Sequence, residues 1–546
     1  MKTGQFERIP SFLKPIFLYG PPGSGKSSVG EVLAKNLALP FVDLDQRIEE
    51  LAGKTIPDIF ENAGEAGFRR LEKTALQEVV EAARGVIALG GGALIDRDNR
   101  LKVKRSGEIC CLFASEAVLL RRLKNASTER PLLVNSSEKA PEFEKLAALL
   151  ANRSKHYASF QNQFDTGIDS PEQIAREIQI KLGAFHVRGM TEKSVFQRRG
   201  GTDPVKHGYD VRISSALDGL GRDLRMQDLA GPIAVVSDQN VAKHYLSRVE
   251  KSLRAEGYST FSVIISPGET SKTVATISHL WGEFLAPGME RRSTVVALGG
   301  GVVGDLAGFA AATYMRGIPW VNVPTSLVAM ADASLGGKTG ADLPQGKNLV
   351  GAFHAPKMVL TDPSTLRTLP RAEMVSGIAE VIKAGIIGDP ELYKACTQGW
   401  ERIEADWDEI IPRAMSVKIE IIEADPFEEG IRAVLNLGHT IGHAVERLSN
   451  YQLRHGEAVA IGMVAEARLA EKIGIAQHGL ANEIKDACTR LGLPAEVPAE
   501  MNLEEIQEMI KVDKKRSSAK VKYALPVRIG EVRPGYEVSD IEAILN

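Results

Sequence analysis

The segment Gly20 to Ser27 reads GPPGSGKS and lies between the apolar run PIFLY and the helical pattern SSVGEVLAKNLA. Few stretches constrain a fold as tightly. A glycine-rich turn from a buried strand into a helix N-terminus needs a parallel α/β sheet to hold the strand, and it aims several backbone N–H groups at one point where a phosphate can sit. Lys26 can reach the transferring phosphate and the Ser27 hydroxyl can ligate Mg2+, so Gly23, Ser24, Gly25, Lys26, Ser27 and Ser28 form a candidate nucleotide site. The surrounding rhythm agrees: the β-rich runs PIFLYG, GVIALGGG and EICCLFA alternate with helical stretches such as FRRLEKTALQEVVEAA.

That pattern ends near Leu182, while the chain runs to 546 residues, too long for one core at roughly 150 residues per domain. Residues 1–182 read as a P-loop domain. Residues 183–204, basic and with few periodic apolar positions, read as a linker. A second α/β block, residues 205–362, contains the strand-like runs GPIAVVSDQNV, STFSVIISPGE and RSTVVALGGG, each ending in a polar or glycine-rich turn. Residues 363–546 are mainly helical in pattern. The fold class is therefore α/β: a P-loop kinase-like parallel sheet, then a Rossmann-like sheet and a helical domain.

Composition excludes some functions. Lys and Arg number 67 against 70 Asp and Glu, so no basic field exists to collect nucleic acid or an anionic membrane, and small-molecule chemistry is expected. Four cysteines without a CxxC pair argue against a disulfide framework and a thiolate zinc site. Pro10 and Pro15 break the N-terminal apolar stretch, unlike a secretory signal, and Asp305 with many glycines interrupts the best membrane candidate, so a cytoplasmic location without a membrane span is expected.

The first half carries further chemistry. FVDLD supplies Asp43 and Asp45 at a strand end, where alternation predicts both carboxylates on one edge. GEAGFRRLE offers Arg69 and Glu72 one helical turn apart, and VIALGGG brings Gly91 and Gly92 to another strand end. With Arg130-Pro131-Leu132-Leu133 and Arg153 followed by Tyr157, about 165 residues resemble shikimate kinase. The resemblance implies that Asp43 assists Mg2+, that Arg130 lies on a lid over ATP, and that Asp45, Arg69, Gly91, Gly92 and Arg153 hold shikimate. Two arginines can clamp its carboxylate while Asp45 orients a hydroxyl toward the γ-phosphate. A gluconate kinase is the alternative for this half.

In the second half, Gly299, Gly300, Gly301 and Gly304 follow a buried strand and precede a helix, so their amides can approach a pyrophosphate. Asp238 at another strand end can accept ribose hydroxyls, and Glu269 and Lys272 flank the turn PGETSK. Asn240, Asp305, Thr325 and Ser326 complete the candidate NAD contacts. GIAEVIKAG places Glu380 and Lys383 one turn apart, LNLGHTIGHAVE puts His439 and His443 at i and i+4, and LRHGEAVAIGM opens another helix with His455. A carboxylate with two imidazoles from separate helices suits a catalytic zinc that keeps positions open for substrate.

These motifs, with PTSLVAMADASLGGKTG and GKNLVGAFHAPK, make residues 205–546 resemble 3-dehydroquinate synthase. The resemblance implies NAD, one Zn2+ or Co2+ on Glu380, His439 and His455, and closure of a heptulosonate phosphate into a carbocycle with loss of phosphate. It places His443 beside the departing phosphate, with Lys338, Asn348, Asn436 and one of Lys514, Lys515, Lys520 and Lys522 binding it. Lys418 and Arg432 would hold the carboxylate, Asp332 and Lys383 would face hydroxyls, and Lys347 belongs to the same anion site. Arg316 would act across a subunit interface, implying a homodimer. A metal-dependent alcohol dehydrogenase would share the NAD turn and histidines but not the paired anion sites. The chain as a whole reads as a bifunctional enzyme, against the alternative of an active synthase fused to a P-loop regulatory module.

Overall fold

Strand β1 (Ile16–Tyr19) is buried along its length and feeds two cores at once. Phe17 and Tyr19 pack with Ile87 and Cys111 on one face. Ile16 and Leu18 pack with Val86 and Cys110 on the other. Period-two alternation with both faces apolar is what a parallel sheet covered by helices on each side demands. The computed structural model containing this sheet describes residues 14–82, 85–124, 142–188, 208–214, 217–426, 428, 430–450, 452–515 and 521–537. The chain divides into two compact units, Met1–Ala184 and Phe185–Asn546.

In the first unit β2 (Phe41–Asp43), β3 (Val86–Ala88), β1, β4 (Glu108–Phe113) and β5 (Asn162–Asp165) form the sheet in the order β2-β3-β1-β4-β5. All its pairs are parallel. One expectation fails locally. Asp45 does not alternate with Asp43 along a strand, because Asp43 caps a helix beginning at Leu44, its Oδ1 accepting from Asp45 N at 3.0 Å. Asp45 therefore stands on the first turn of that helix.

The second sheet contains β6 (Ala184–Val187), β7 (Tyr209–Ile213), β8 (Ala230–Asp238), β9 (Thr260–Ile265), β10 (Ser293–Gly299) and β11 (Trp320–Pro324). A hairpin, β12 (Lys338–Leu343) and β13 (Gly346–Phe353), follows, and β14 (Met358–Thr361) returns to the sheet, giving the order β6-β7-β14-β11-β10-β8-β9. Val295 and Ala297 of β10 face one core and Val296 and Leu298 the other, so this sheet is also covered on both sides. From β8 the chain pairs outward to β9, then returns to β10 and continues to β11, so the order reverses between β8 and β10. In open α/β sheets such a reversal leaves a crevice at the strands' C-terminal ends.

The stretch read as a linker begins later than residue 183. Gly183 closes the helix Pro171–Leu182 in left-handed conformation, φ 58, and Ala184, Phe185 and Val187 are buried in β6. Residues 189–207 lie outside the described residues. The helical region shares its compact unit with the second sheet: Gly377 on the helix Arg371–Gly388 lies against Leu327 and Val328, with no room for a side chain. A final hairpin, β15 (Lys522–Arg528) and β16 (Glu531–Glu537), packs Tyr523 and Leu525 into the core of the helices His439–Leu448 and His455–Lys472. Among the described residues no helix is long and apolar enough to cross a membrane.

Candidate active sites

The glycine loop of the first unit takes the shape its sequence requires. Gly23 and Gly25 have φ of 80 and 84, and Gly25 starts the helix Lys26–Asn36. Lys26 Nζ donates to the carbonyls of Gly20 and Pro21, both at 3.0 Å, which holds the ammonium over the loop's cradle. Ser27 Oγ donates to Asp43 Oδ2 at 2.7 Å, so the hydroxyl and carboxylate expected to hold Mg2+ already meet.

Beside them stands a second cluster. Arg69 Nη1 donates to the buried Glu72 at 2.7 Å and Nη2 to Glu65 at 3.2 Å, leaving a guanidinium fixed against Gly92. Burial pushes the Glu72 carboxyl up even though Arg69 opposes it. Asp45 Oδ1 lies against Gly90. The Gly91 carbonyl accepts from the hydroxyls of Tyr157 at 2.7 Å and Tyr19 at 3.2 Å, which pins the triple-glycine turn. Arg153 is close enough to lower the Tyr157 hydroxyl against the dominant effect of burial. Asp43, Asp45, Arg69, Gly91, Gly92 and Arg153 thus belong to one neighbourhood of loop, sheet edge and helix ends. Arg130 lies outside the described residues.

Along the second sheet's C-terminal edge, Asp238 ends β8 and caps the helix Gln239–Ala255, accepting from Asn240 N at 2.7 Å. Gly300 follows β10 and is the N-cap of the helix Gly301–Thr313, and Thr325 N, just after β11, donates to Gly299 O at 2.9 Å. Ser326 lies against Gly300, and Gly304 against Asn322. Asp238, Gly300 and Thr325 thus stand at the C-terminal ends of the neighbouring strands β8, β10 and β11. Lys272, only 5% exposed, pairs with Asp305 at 2.6 Å and donates to Asn348 Oδ1 at 2.6 Å. Burial raises the Asp305 carboxyl despite that lysine.

Three helices build the metal-ligand geometry, and glycine lets them approach. Gly456 leaves no room for a Cβ against the Ser376 carbonyl, and Gly462 none against Gly438 O. These contacts bring Glu380, His439 and His455 together with one ligand atom from each within 4.8 Å of the others. Glu380 Oε1 is buried without a well-formed hydrogen bond and faces Nε2 of His455 at 3.3 Å and of His439 at 3.8 Å. His439 Nδ1 is 3.1 Å from Leu437 O, so with the proton on Nδ1 its Nε2 lone pair faces inward. Burial, then Lys383, holds the His439 imidazole well below its ordinary pKa and therefore neutral. Burial opposes the charge on His455 as well, but Glu380 and Glu446 outweigh it and raise the ring to about 9, so metal entry below that pH displaces a proton. A buried carboxylate oxygen without a well-formed hydrogen bond, facing the Nε2 atoms of two imidazoles, fits a divalent zinc-like ion that replaces the proton on His455. His443, Glu446 and His455 form a second, more exposed group within the same span.

Continuous with Glu380 is a charge cluster. Lys383 pairs with Glu380, and Lys418 donates to Asp332 Oδ1 at 2.6 Å and Asp332 O at 2.7 Å. Burial tends to raise Asp332, but Lys418 and Lys383 prevail and hold it low; burial also lowers Lys418. Two carboxylates thus balance two ammonium groups, the condition for burying charge without a large penalty. Lys418, expected to hold a substrate carboxylate, is engaged by Asp332. Asp332 itself sits on the π-helical turn Ala329–Ala333.

A cavity of about 480 Å3 opens beside His439, lined among others by Asn436, His443, Thr440 and Lys522. Of the four C-terminal lysines only the Lys522 side chain is described, and it faces this cavity from β15. Lys338 pairs with Glu428, and Lys347 Nζ donates to Glu446 at 3.0 Å. Arg432 is buried and donates to Pro426 O at 2.6 Å. Arg316 is exposed with φ 68 and lines neither this cavity nor the small one beside Asp332. Glu428 and Glu446 were not singled out from sequence. The signal for Glu446 was there: it follows His443 by one helical turn in GHAVE.

Comparison with known proteins follows the same division. Residues 22–182 match the family model for shikimate kinase. Residues 262–376 and 377–516 match those for the N-terminal and C-terminal parts of 3-dehydroquinate synthase. The chain is 43% identical over 345 residues to 3-dehydroquinate synthase of Nostoc punctiforme, covering 62% of this chain and 95% of that protein. With the same enzyme of Symbiobacterium thermophilum the identity is 46% over 303 residues, 55% of this chain and 85% of that one. A solved 2-epi-5-epi-valiolone synthase from Streptomyces hygroscopicus with NAD+ and Zn2+ bound is 26% identical, with TM-score 0.57, covering 63% of this chain and 96% of that chain. A 2-deoxy-scyllo-inosose synthase solved with carbaglucose-6-phosphate, NAD+ and Co2+, 21% identical with TM-score 0.57 over 66% of this chain and 98% of that one, shares the fold.

Proposed function

The chain belongs to the 3-dehydroquinate synthase family and carries a shikimate kinase domain ahead of it, and from that premise we propose how its side chains divide the work. It is a bifunctional enzyme of the shikimate pathway: an ATP- and Mg2+-dependent kinase for shikimate, and an NAD- and Zn2+- or Co2+-dependent synthase that converts 3-deoxy-D-arabino-heptulosonate 7-phosphate to 3-dehydroquinate with release of phosphate. The regulatory-module alternative is not favoured.

In the kinase, Lys26 leaves the Gly20 and Pro21 carbonyls for the transferring phosphate, while Ser27 and Asp43 hold Mg2+. Asp45 orients the shikimate hydroxyl. Arg69, stiffened by Glu65 and Glu72, clamps the shikimate carboxylate together with Arg153. Tyr19 and Tyr157 keep the Gly90–Gly92 turn in place beneath the substrate.

In the synthase, a metal on Glu380, His439 and His455 supplies a Lewis acid when bound, and NAD along the edge of β8, β10 and β11 supplies a reversible hydride acceptor. Asn436, His443 and Lys522 receive the substrate phosphate in the cavity they line, where His443 exchanges a proton with the departing group. Lys338, Lys347 and Asn348 add positive charge and an amide on the hairpin β12–β13. Asp332 and Lys383 orient hydroxyls, and Lys418 with Arg432 takes the carboxylate once substrate competes with Asp332 for the Lys418 ammonium. The exposed Arg316 completes the site of a partner subunit in a homodimer.

One observation supports this reading: each compact unit gathers its own phosphate- or metal-directed side chains, Lys26, Ser27 and Asp43 in the first and Glu380, His439 and His455 in the second. The test is to assay one purified full-length preparation twice. Shikimate-dependent ADP formation and NAD- and metal-dependent phosphate release from the heptulosonate phosphate are both expected. ATP turnover that ignores shikimate, or phosphate release that ignores NAD, overturns it.

A further inference from the structure

Glu446 is mostly buried, on the helix His439–Leu448, and its two oxygens face different partners. Oε1 accepts from Lys347 Nζ at 3.0 Å. Oε2 stands 3.6 Å from His455 Nδ1, inside ion-pair range and a few tenths of an ångström beyond a hydrogen bond. The other nitrogen of that ring is the one 3.3 Å from Glu380 Oε1. His439 has a different support, the Leu437 carbonyl at its Nδ1. An imidazole that ligates through one nitrogen is aimed by whatever holds the other.

We propose that Glu446 is a positioning residue that aims His455 Nε2 at the metal, with Lys347 fixing the carboxylate that does so. His455 needs such a support more than His439 does. It opens its helix as the first residue, with one flank toward solvent, and the group that faces its Nδ1 is the Glu446 carboxylate. Each carboxylate has one oxygen beside a lysine, but Glu380 is the better candidate for a ligand, because it is the more deeply buried and its Oε1 faces Nε2 of both His455, at 3.3 Å, and His439, at 3.8 Å.

This inference rests on the reading that the ion occupies Glu380, His439 and His455, and the experiment separates the two. The full-length chain is stripped with a chelator, and Zn2+ affinity is measured by competition with a chromophoric chelator for the parent, Glu446→Ala, Glu446→Gln and Glu380→Ala. Loss of an outer support of this kind costs about 10–100-fold in metal affinity, expected for Glu446→Ala. Glu446→Gln retains an acceptor oxygen and is expected to lose less than Ala but more than about threefold. Glu380→Ala is expected to abolish stoichiometric binding. NAD affinity of the stripped chains, expected unchanged, reports that the second unit is folded. If Glu446→Ala does not fold, the isosteric Gln variant decides alone. Zn2+ affinity within twofold of the parent in the folded Glu446 variants overturns the positioning role. Binding that survives Glu380→Ala but vanishes in Glu446→Ala overturns both statements, since the ion would then occupy the His443, Glu446 and His455 group.

Discussion

Replacing Gly456 by Ala sets a Cβ 1.7 Å from the carbonyl oxygen of Ser376 and 2.9 Å from its hydroxyl. A tolerable carbon–oxygen contact is about 3.3 Å, so the helix His455–Lys472 must retreat from the helix Arg371–Gly388 by roughly 1.6 Å. His455 is the adjoining residue, and Glu380 lies one turn beyond Ser376, so the retreat acts directly on the 3.3 Å separation of Nε2 and Oε1. Metal-ligand distances tolerate about 0.2 Å, several times less than this displacement. The Ser376 Oγ contact that now accepts from Gly456 N at 3.0 Å is lost as well. Overpacking of this kind costs about 1–3 kcal/mol in stability. Gly456→Ala is therefore expected to lose stoichiometric Zn2+ after dialysis against a weak chelator, to melt earlier in its second unit, and to phosphorylate shikimate normally. Parent-like zinc content with an unchanged thermal midpoint would refute the helix contact from which the displacement was worked.

Lys26→Ala should abolish shikimate phosphorylation and leave phosphate release by the synthase within about twofold, well under ~1 kcal/mol of barrier; steady-state assays of both reactions on the same variant check this. Asp45→Ala should lose at least about 100-fold in kcat while nucleotide affinity, measured by fluorescent-analogue titration, holds, because a positioned acid–base group is worth about that much. Glu496 tests a stability effect: hydrogen bonds from Arg468, opposed by partial burial and aided by Lys485, hold its carboxyl at about 2 against an ordinary 4.5. A depressed pKa stabilises the fold above the unfolded value and loses that contribution as pH falls toward the folded one. Since the side chain is 50% exposed, screening keeps the effect under about 1 kcal/mol. Thermal melts of Glu496→Gln and the parent should differ slightly at pH 7 and converge as pH drops from 4.5 toward 2.

Local signals were legible in the sequence where one strand, one turn and one helix sufficed. The loop Gly20–Ser27 declares its own surroundings, and His439 with His443 declares a helical face. Asp45 was misplaced because strand alternation was carried one residue too far; the capping carboxylate of Asp43 starts a helix at Leu44. The strand Ala184–Val187 was read as linker because the basic stretch after it hid a short apolar alternation. Pairings across long separations were not legible at all. Lys347 with Glu446 and Lys418 with Asp332 join residues 99 and 86 positions apart, and composition cannot say which cation meets which carboxylate. The sequence alone does not separate Lys522 from Lys514, Lys515 and Lys520; β15 puts Lys522 on the wall of the cavity that His443 also lines, and the other three side chains lie outside the described residues.

The two overlapping ligand groups around His455 give the sharpest test. Zinc content per chain, measured by elemental analysis on folded Glu380→Ala, His439→Ala, His455→Ala and His443→Ala variants of the full-length protein, separates them. The arrangement described here requires the first three to fall close to zero and His443→Ala to keep one ion per chain while releasing phosphate poorly. Zinc lost from His443→Ala as completely as from His455→Ala, with His439→Ala still loaded, would contradict it and move the metal to the outer group.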